Sequence, residues 1–232
     1  MKNIKAILFD LDDTLMDDIS ATYTYRKAFH DNHRAEIPYS FDEFNHLWDK
    51  QVIQDLINLG KGTANLNESR LKRMRIVFDN PHLPVDYAVK LVAEYLDSYM
   101  KAWKLFDDAI PALEALSQRY ILGMVTNGDN LQQRQKVDRF NLGPYFKTIV
   151  TCEEAGASKP EKQIFDFTLS KLDLRSHECL FVGDSYDRDV VGALNVGLHP
   201  VWLLRNGDTA GKALANIQII QNLTELTSLL AQ

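Results

Sequence analysis

The chain has 232 residues, 45% of them hydrophobic and 25% charged, with 26 Lys plus Arg against 32 Asp plus Glu and a net charge of −6. These proportions allow a sizeable core and exclude collagen-like, disulfide-scaffold and wholly disordered chains. The acidic balance argues against nucleic-acid binding, which draws on Lys and Arg at phosphates. Apolar runs such as Ala6 to Phe9 and Cys179 to Val182 fall far short of the ~20 residues a membrane span needs.

The N-terminal apolar stretch stops at Asp10, too early for a secretory signal, so a cytoplasmic protein is expected. Cys152 and Cys179 have no CxxC spacing and read as buried, reduced thiols.

Residues 4–9 (IKAILF) read as a buried strand that ends on an acid-rich loop, Asp10 to Asp18. From about 19 to 103 the spacing turns helical, in stretches near 19–34, 41–58, 67–79 and 85–103. Within the second, Phe41, Phe44, Trp48, Val52 and Leu56 recur every three or four residues, and Ser40 with Glu43 predicts a capping box. The stretch from Gly60 to Asn67 is the one polar, loop-like run.

Beyond Pro111 the texture alternates: helix 109–118, strand 120–125, helix 130–140, strand 147–151, helix 161–171, strand 179–182, helix 188–195 and strand 199–203. A strand near 216–220 and a helix from 222 complete the pattern. Apolar strands interleaved with helices predict an α/β fold, a doubly wound, Rossmann-like parallel sheet. A strand at 4–9 cannot stand alone, so it is expected to join that sheet. The helical stretch is then an inserted domain, with the core at 1–16 plus 106–232 and the insertion at 17–105.

In such sheets ligands bind beyond the carboxyl ends of the strands. The strand exits deliver Asp10, Asp12 and Thr14; Thr126, Asn127 and Gly128; Ser158, Lys159 and Pro160; and Gly183, Asp184, Ser185 and Asp189. Two carboxylates about 4 Å apart repel by about 4 kcal/mol at an effective dielectric near 20, so a cluster of them calls for a cation. Oxygen ligands without His or Cys favour a hard ion, and with water and phosphate completing the shell, Mg²⁺. The substrate is then a small phosphate ester.

Paired acids at one strand end suit divided roles. Asp10 can attack phosphorus while Asp12 gives and later takes a proton. Phosphate-monoester hydrolysis, accelerated by enzymes up to ~10²¹-fold, makes use of both together with metal electrostatics. Lys159 and Thr126 would complete the charge and hydrogen-bond environment of the phosphoryl group.

These four clusters, in this order, resemble the signature of the haloacid dehalogenase superfamily, most of whose members are phosphatases. The resemblance spans residues 4–203. It implies Asp10 as nucleophile, Asp12 as general acid and base, and Thr126 and Lys159 as phosphoryl-holding residues. It also implies Mg²⁺ on the Asp10 carboxylate, the Asp12 main-chain carbonyl and Asp184, with Asp189 a further ligand, direct or through water. The family's helical cap falls where the insertion lies, and would close over the substrate to exclude water and set selectivity.

The TNGD run at Thr126 to Asp129, the SKP loop and the GDSYDRDVVGA run are most similar to pyrimidine 5′-nucleotidase-like and N-acylneuraminate-9-phosphatase-like members. Thr14 and Asn127 are expected near the substrate, and Arg73 or Arg75, from the basic run on the third helix of the insertion, at its leaving group. A monomer or homodimer is expected. Rival readings are a phosphomutase of the same superfamily and a module that accepts a phosphoryl group on Asp10 for signalling. Dehalogenation is disfavoured, because Asp12 has no task in halide displacement.

Overall fold

The computed structural model of the chain describes residues 3–60, 62–63, 65–205 and 217–230. Two compact units emerge: Met1–Asp17 with Leu105–Gln232, and Asp18–Lys104.

The first unit is built on six parallel strands: β1 (Ala6–Phe9), β2 (Ile121–Thr126), β3 (Thr148–Thr151), β4 (Cys179–Gly183), β5 (His199–Leu203) and β6 (Gln218–Ile220). Their order in the sheet is β3-β2-β1-β4-β5-β6. β1 is fully buried, as a strand covered on both faces by helices must be, which is why it reads as an unbroken apolar run. Phe9 pairs with Met124 on one side and Val182 on the other. Strand order reverses between β1 and β4, so the exits of these two strands flank the crevice where an open α/β sheet takes its ligand. No helix among the described residues is long and apolar enough to cross a membrane.

The second unit comprises α1 (Asp18–Asn32), α2 (Phe41–Gly60), α3 (Leu66–Val77) and α4 (Val85–Ala102). The predicted capping box forms: Glu43 accepts from the Ser40 amide at 2.9 Å, and the Ser40 hydroxyl accepts from the Glu43 amide at 3.4 Å. The core of this unit is aromatic, with the Trp48 ring centroid 5.1 Å from that of Tyr95 and 5.3 Å from that of Phe44.

In the first unit the helices are α5 (Ala109–Ser117), α6 (Asn130–Arg139), α7 (Cys152–Ala155), α8 (Lys162–Leu172), α9 (Val191–Asn195) and α10 (Leu223–Leu230). The single helix expected over 188–195 is instead a wide π turn, Tyr186–Val190, running into the short α9. Asp189 turns its carboxylate back to the Ser185 amide at 2.9 Å, and the Ser185 hydroxyl accepts from the Arg188 amide, a local pairing that opens the turn. The brief α7 was absent from the sequence expectation. Residues 61 and 64 of the polar run, and residue 216 of the last expected strand, lie outside the described residues. Both cysteines are free and buried, and burial pushes their thiols up to about 11.

Candidate active site

Every group of the site comes from a strand exit of the first unit or from the helix that follows one. The Asp10 amide donates to the carbonyl of Val182 on β4 at 2.9 Å, extending the ladder one residue past β1 and aiming the Asp10 side chain over the sheet's carboxyl edge. Its carboxylate accepts from the Leu11 amide at 2.8 Å and lies 2.8 Å from Lys159 Nζ. The same ammonium sits 2.7 Å from Asp189.

Carboxylate oxygens of Asp10, Asp184 and Asp189 all fall within 4.8 Å of one another. Gly183 makes this approach possible, since a Cβ there would meet Asp189 Oδ2 at 2.3 Å.

The electrostatics follow from crowding and burial. Burial raises the Asp10 carboxyl above its ordinary range, against the pull of Lys159 and with added repulsion from Asp189. Asp184 is pushed up to about 8, chiefly by burial and then by the carboxylates of Asp10, Asp189 and Asp13. Desolvation works against the Lys159 charge, but Asp10 and Asp189 together outweigh it and hold the ammonium above its ordinary value.

Asp184 Oδ1 is buried and has no hydrogen-bond partner, while Trp202 Nε1 fixes the backbone by donating to the Asp184 carbonyl at 2.7 Å. An orphaned oxygen within a set of carboxylates and no nitrogen or sulfur donors fits a hard divalent cation.

The structure brings Asp10, Lys159, Asp184 and Asp189 together, and a second cluster gathers Asp12, Thr126, Gln133 and Lys136. Asp12 Oδ1 accepts from Lys136 Nζ at 2.6 Å and Asp12 Oδ2 from Gln133 Nε2 at 2.7 Å. Thr126 Oγ1 also accepts from Gln133 Nε2, at 2.6 Å. The sequence reading assigned no role to Gln133 or Lys136. A signal was present: two polar residues three apart lie on one face of the helix that opens directly after Thr126. Asp129 caps that helix by accepting from the Gln132 amide at 2.9 Å, which sets the facing.

Other expected residues are placed differently. The Asn127 amide is committed to protein: its Nδ2 donates to the Lys159 carbonyl at 2.9 Å and its Oδ1 accepts from the Lys159 amide at 2.7 Å. Asn127 therefore clasps the loop that carries Lys159. Arg73 is buried in the helical unit, 2.5 Å from Asp55 and with its guanidinium 5.4 Å from the Trp48 ring centroid. That ion pair accounts for its charge within the helical unit.

Arg75, on the same helix, is half-buried, and its Nε finds no partner. The Thr14 hydroxyl is buried without a partner, while its carbonyl accepts from Arg205 at 2.8 Å.

Sheet order and strand exits together define a doubly wound α/β fold whose crevice gathers carboxylates that could hold a cation. A family model extends the comparison across most of the chain: this protein belongs to the haloacid dehalogenase-like hydrolases, matched over residues 4–197.

A ribulose-1,5-bisphosphate 5-phosphatase of Halopiger xanaduensis is 32% identical over 204 residues, covering 84% of this chain and 83% of that protein. A pyrimidine 5′-nucleotidase of Escherichia coli is 29% identical over 144 residues, 62% of this chain and 64% of its own length. Among solved structures, a phosphatase of this superfamily from Thermococcus onnurineus superposes with a TM-score of 0.70 at 29% identity, covering 98% of both chains. These relatives are phosphatases of sugar phosphates and nucleotides in the two cases whose names state a substrate.

Proposed function

We propose that this enzyme hydrolyses a small phosphate monoester, a sugar phosphate or a nucleotide, through an aspartyl phosphate on Asp10. The observation that carries the proposal is the triad of Asp10, Asp184 and Asp189, two of them buried and Asp184 half-buried, with Lys159 bridging the two buried members. The named relatives support the substrate class.

Asp10 and Asp184, with the Asp12 main-chain carbonyl, are the residues that would hold Mg²⁺. Both Asp189 oxygens already have partners, Lys159 and the Ser185 amide, which suits that residue to a supporting or water-mediated place. The bound ion would neutralise the crowded carboxylates and the phosphoryl oxygens.

In the first step an Asp10 carboxylate oxygen attacks phosphorus. The phosphorus–oxygen ester bond breaks, and its electron pair goes to the leaving oxygen, which takes a proton from Asp12. In the second, a water molecule gives a proton to Asp12 and its oxygen bonds to phosphorus. The acyl-phosphate bond breaks and returns its electrons to the Asp10 carboxylate. Lys159 and the Thr126 hydroxyl hold the phosphoryl oxygens through both steps. The helical unit, Asp18–Lys104, supplies the selectivity among substrates.

A phosphate-release screen over sugar phosphates and nucleotides, run with Mg²⁺ and with chelator, tests the proposal. Release that depends on Mg²⁺ supports it; no release from any phosphate ester refutes it. Quantitative transfer of phosphate to a second sugar position, without release, would favour the phosphomutase reading instead.

A further inference from the structure

On the reading of Asp12 as the proton donor and acceptor, we propose that Gln133 and Lys136 are positioning residues that lock the Asp12 carboxylate and aim the Thr126 hydroxyl at the phosphoryl group. A single carboxylate can rotate about its side chain, and an acid that must serve the leaving oxygen and then a water on the same phosphorus gains from being held. Here each oxygen of Asp12 has its own donor, Lys136 Nζ at 2.6 Å and Gln133 Nε2 at 2.7 Å. Two donors on two oxygens fix both the position and the plane of the carboxylate.

The anchors are more deeply buried than what they hold. The Lys136 side chain is 2% exposed, that of Asp12 28%. A buried ammonium is costly to desolvate, and an apolar side chain would fill the same space without that cost. A lysine here is explained by the carboxylate it grips.

Gln133 acts on two groups at once. Its Nε2 carries two hydrogens, one for Asp12 and one for Thr126 Oγ1 at 2.6 Å. In the ionised form that takes the proton from water, the Asp12 carboxylate only accepts, and in that form it settles which end of the amide is nitrogen. Thr126 Oγ1 is then an acceptor toward Gln133, and its own hydrogen must point elsewhere. A phosphoryl oxygen is the acceptor that the proposed reaction supplies.

The placement also accounts for Gly128. A Cβ at that position would lie 2.3 Å from Gln133 Cδ and 2.4 Å from Nε2, so any larger residue would displace the amide.

The test uses the full-length protein with Mg²⁺ and two substrates, p-nitrophenyl phosphate, whose leaving group departs without a proton, and an alkyl phosphate, whose leaving group requires one. Lys136→Met and Gln133→Leu should each lower kcat on the alkyl phosphate by about 10²-fold, the lower end of what positioned proton transfer contributes, with KM changed by less than about threefold.

With p-nitrophenyl phosphate, the first-turnover burst of nitrophenolate in Lys136→Met should keep its wild-type rate within about threefold, whereas in Gln133→Leu the burst should also fall, though less than alkyl turnover does, because the Thr126 hydroxyl loses its aim. The turnovers after it should slow, because water activation still needs Asp12. Gly128→Ala, which leaves both side chains in the sequence, should reproduce the Gln133→Leu pattern.

Equal loss of burst and alkyl turnover in Lys136→Met and Gln133→Leu would overturn the inference, as would wild-type rates on both substrates. If the unmodified enzyme releases no phosphate from any ester of the phosphate-release screen, the reading of Asp12 itself fails and this inference falls with it. Wild-type turnover combined with unaffected variants would refute the positioning role alone.

Discussion

Asp184 gives the sharpest quantitative handle on the acidic crevice. In the metal-free protein it is pushed up to about 8 from an ordinary 3.8, first by burial and then by its carboxylate neighbours. Between these two values the folded protein holds a proton that the unfolded chain has released. Stability must therefore fall as pH rises through that window. Each pKa unit corresponds to about 1.36 kcal/mol, which sets a ceiling of about 6 kcal/mol over the whole window; water reaching the half-buried side chain reduces this to a few kcal/mol.

Urea titrations in chelator at pH 5.5 and pH 8 measure the fall, and the same titrations on Asp184→Asn subtract the histidines and other groups remote from the crevice. The assay spans about 2.5 pH units of the window, so the wild type should lose about 1–2 kcal/mol more than the variant between these pH values. Mg²⁺, which favours the ionised carboxylate, should stabilise the wild type more at pH 8 than at pH 5.5, and at 100 times its Kd should add about 2.7 kcal/mol. Parallel pH dependence in the two proteins, or equal Mg²⁺ stabilisation of both, would refute the reasoning.

Lys159→Met leaves Asp10 and Asp189 facing each other without their buried cation. It should cost about 3–5 kcal/mol of metal-free stability, with Mg²⁺ restoring part of the loss in the same urea titration. In the helical unit, Arg73→Met strands the Asp55 carboxylate and should also cost about 3–5 kcal/mol, whereas pairing it with Asp55→Leu should recover most of that loss in a double-mutant cycle. Additive losses in that cycle would show that the pair is not coupled.

The parts of the site legible in the sequence share one trait: an apolar strand ends abruptly on a reactive group. Asp10 follows IKAILF, Thr126 closes ILGMVT and Asp184 follows CLFVG, so strand patterning alone put these groups at one edge of a sheet. The rest depends on partners that spacing does not reveal. Lys136 meets Asp12 across 124 residues, and Arg73 meets Asp55 through the packing of α3 on α2.

Asn127 stood beside Thr126 and invited a substrate role, yet its amide matches the backbone donor and acceptor of Lys159. An acid at position 189 would also suit the start of a helix. Only the π turn shows it swung back beneath Lys159.

The central claim is that phosphate passes through a covalent bond to Asp10. Enzyme quenched during steady-state turnover, reduced with borohydride and digested for peptide mass spectrometry, tests it directly, because borohydride converts an aspartyl phosphate to homoserine. The account predicts homoserine at position 10, dependent on substrate and Mg²⁺ and absent from Asp10→Asn. An unmodified Asp10 during active turnover, or homoserine at any other aspartate, would contradict it.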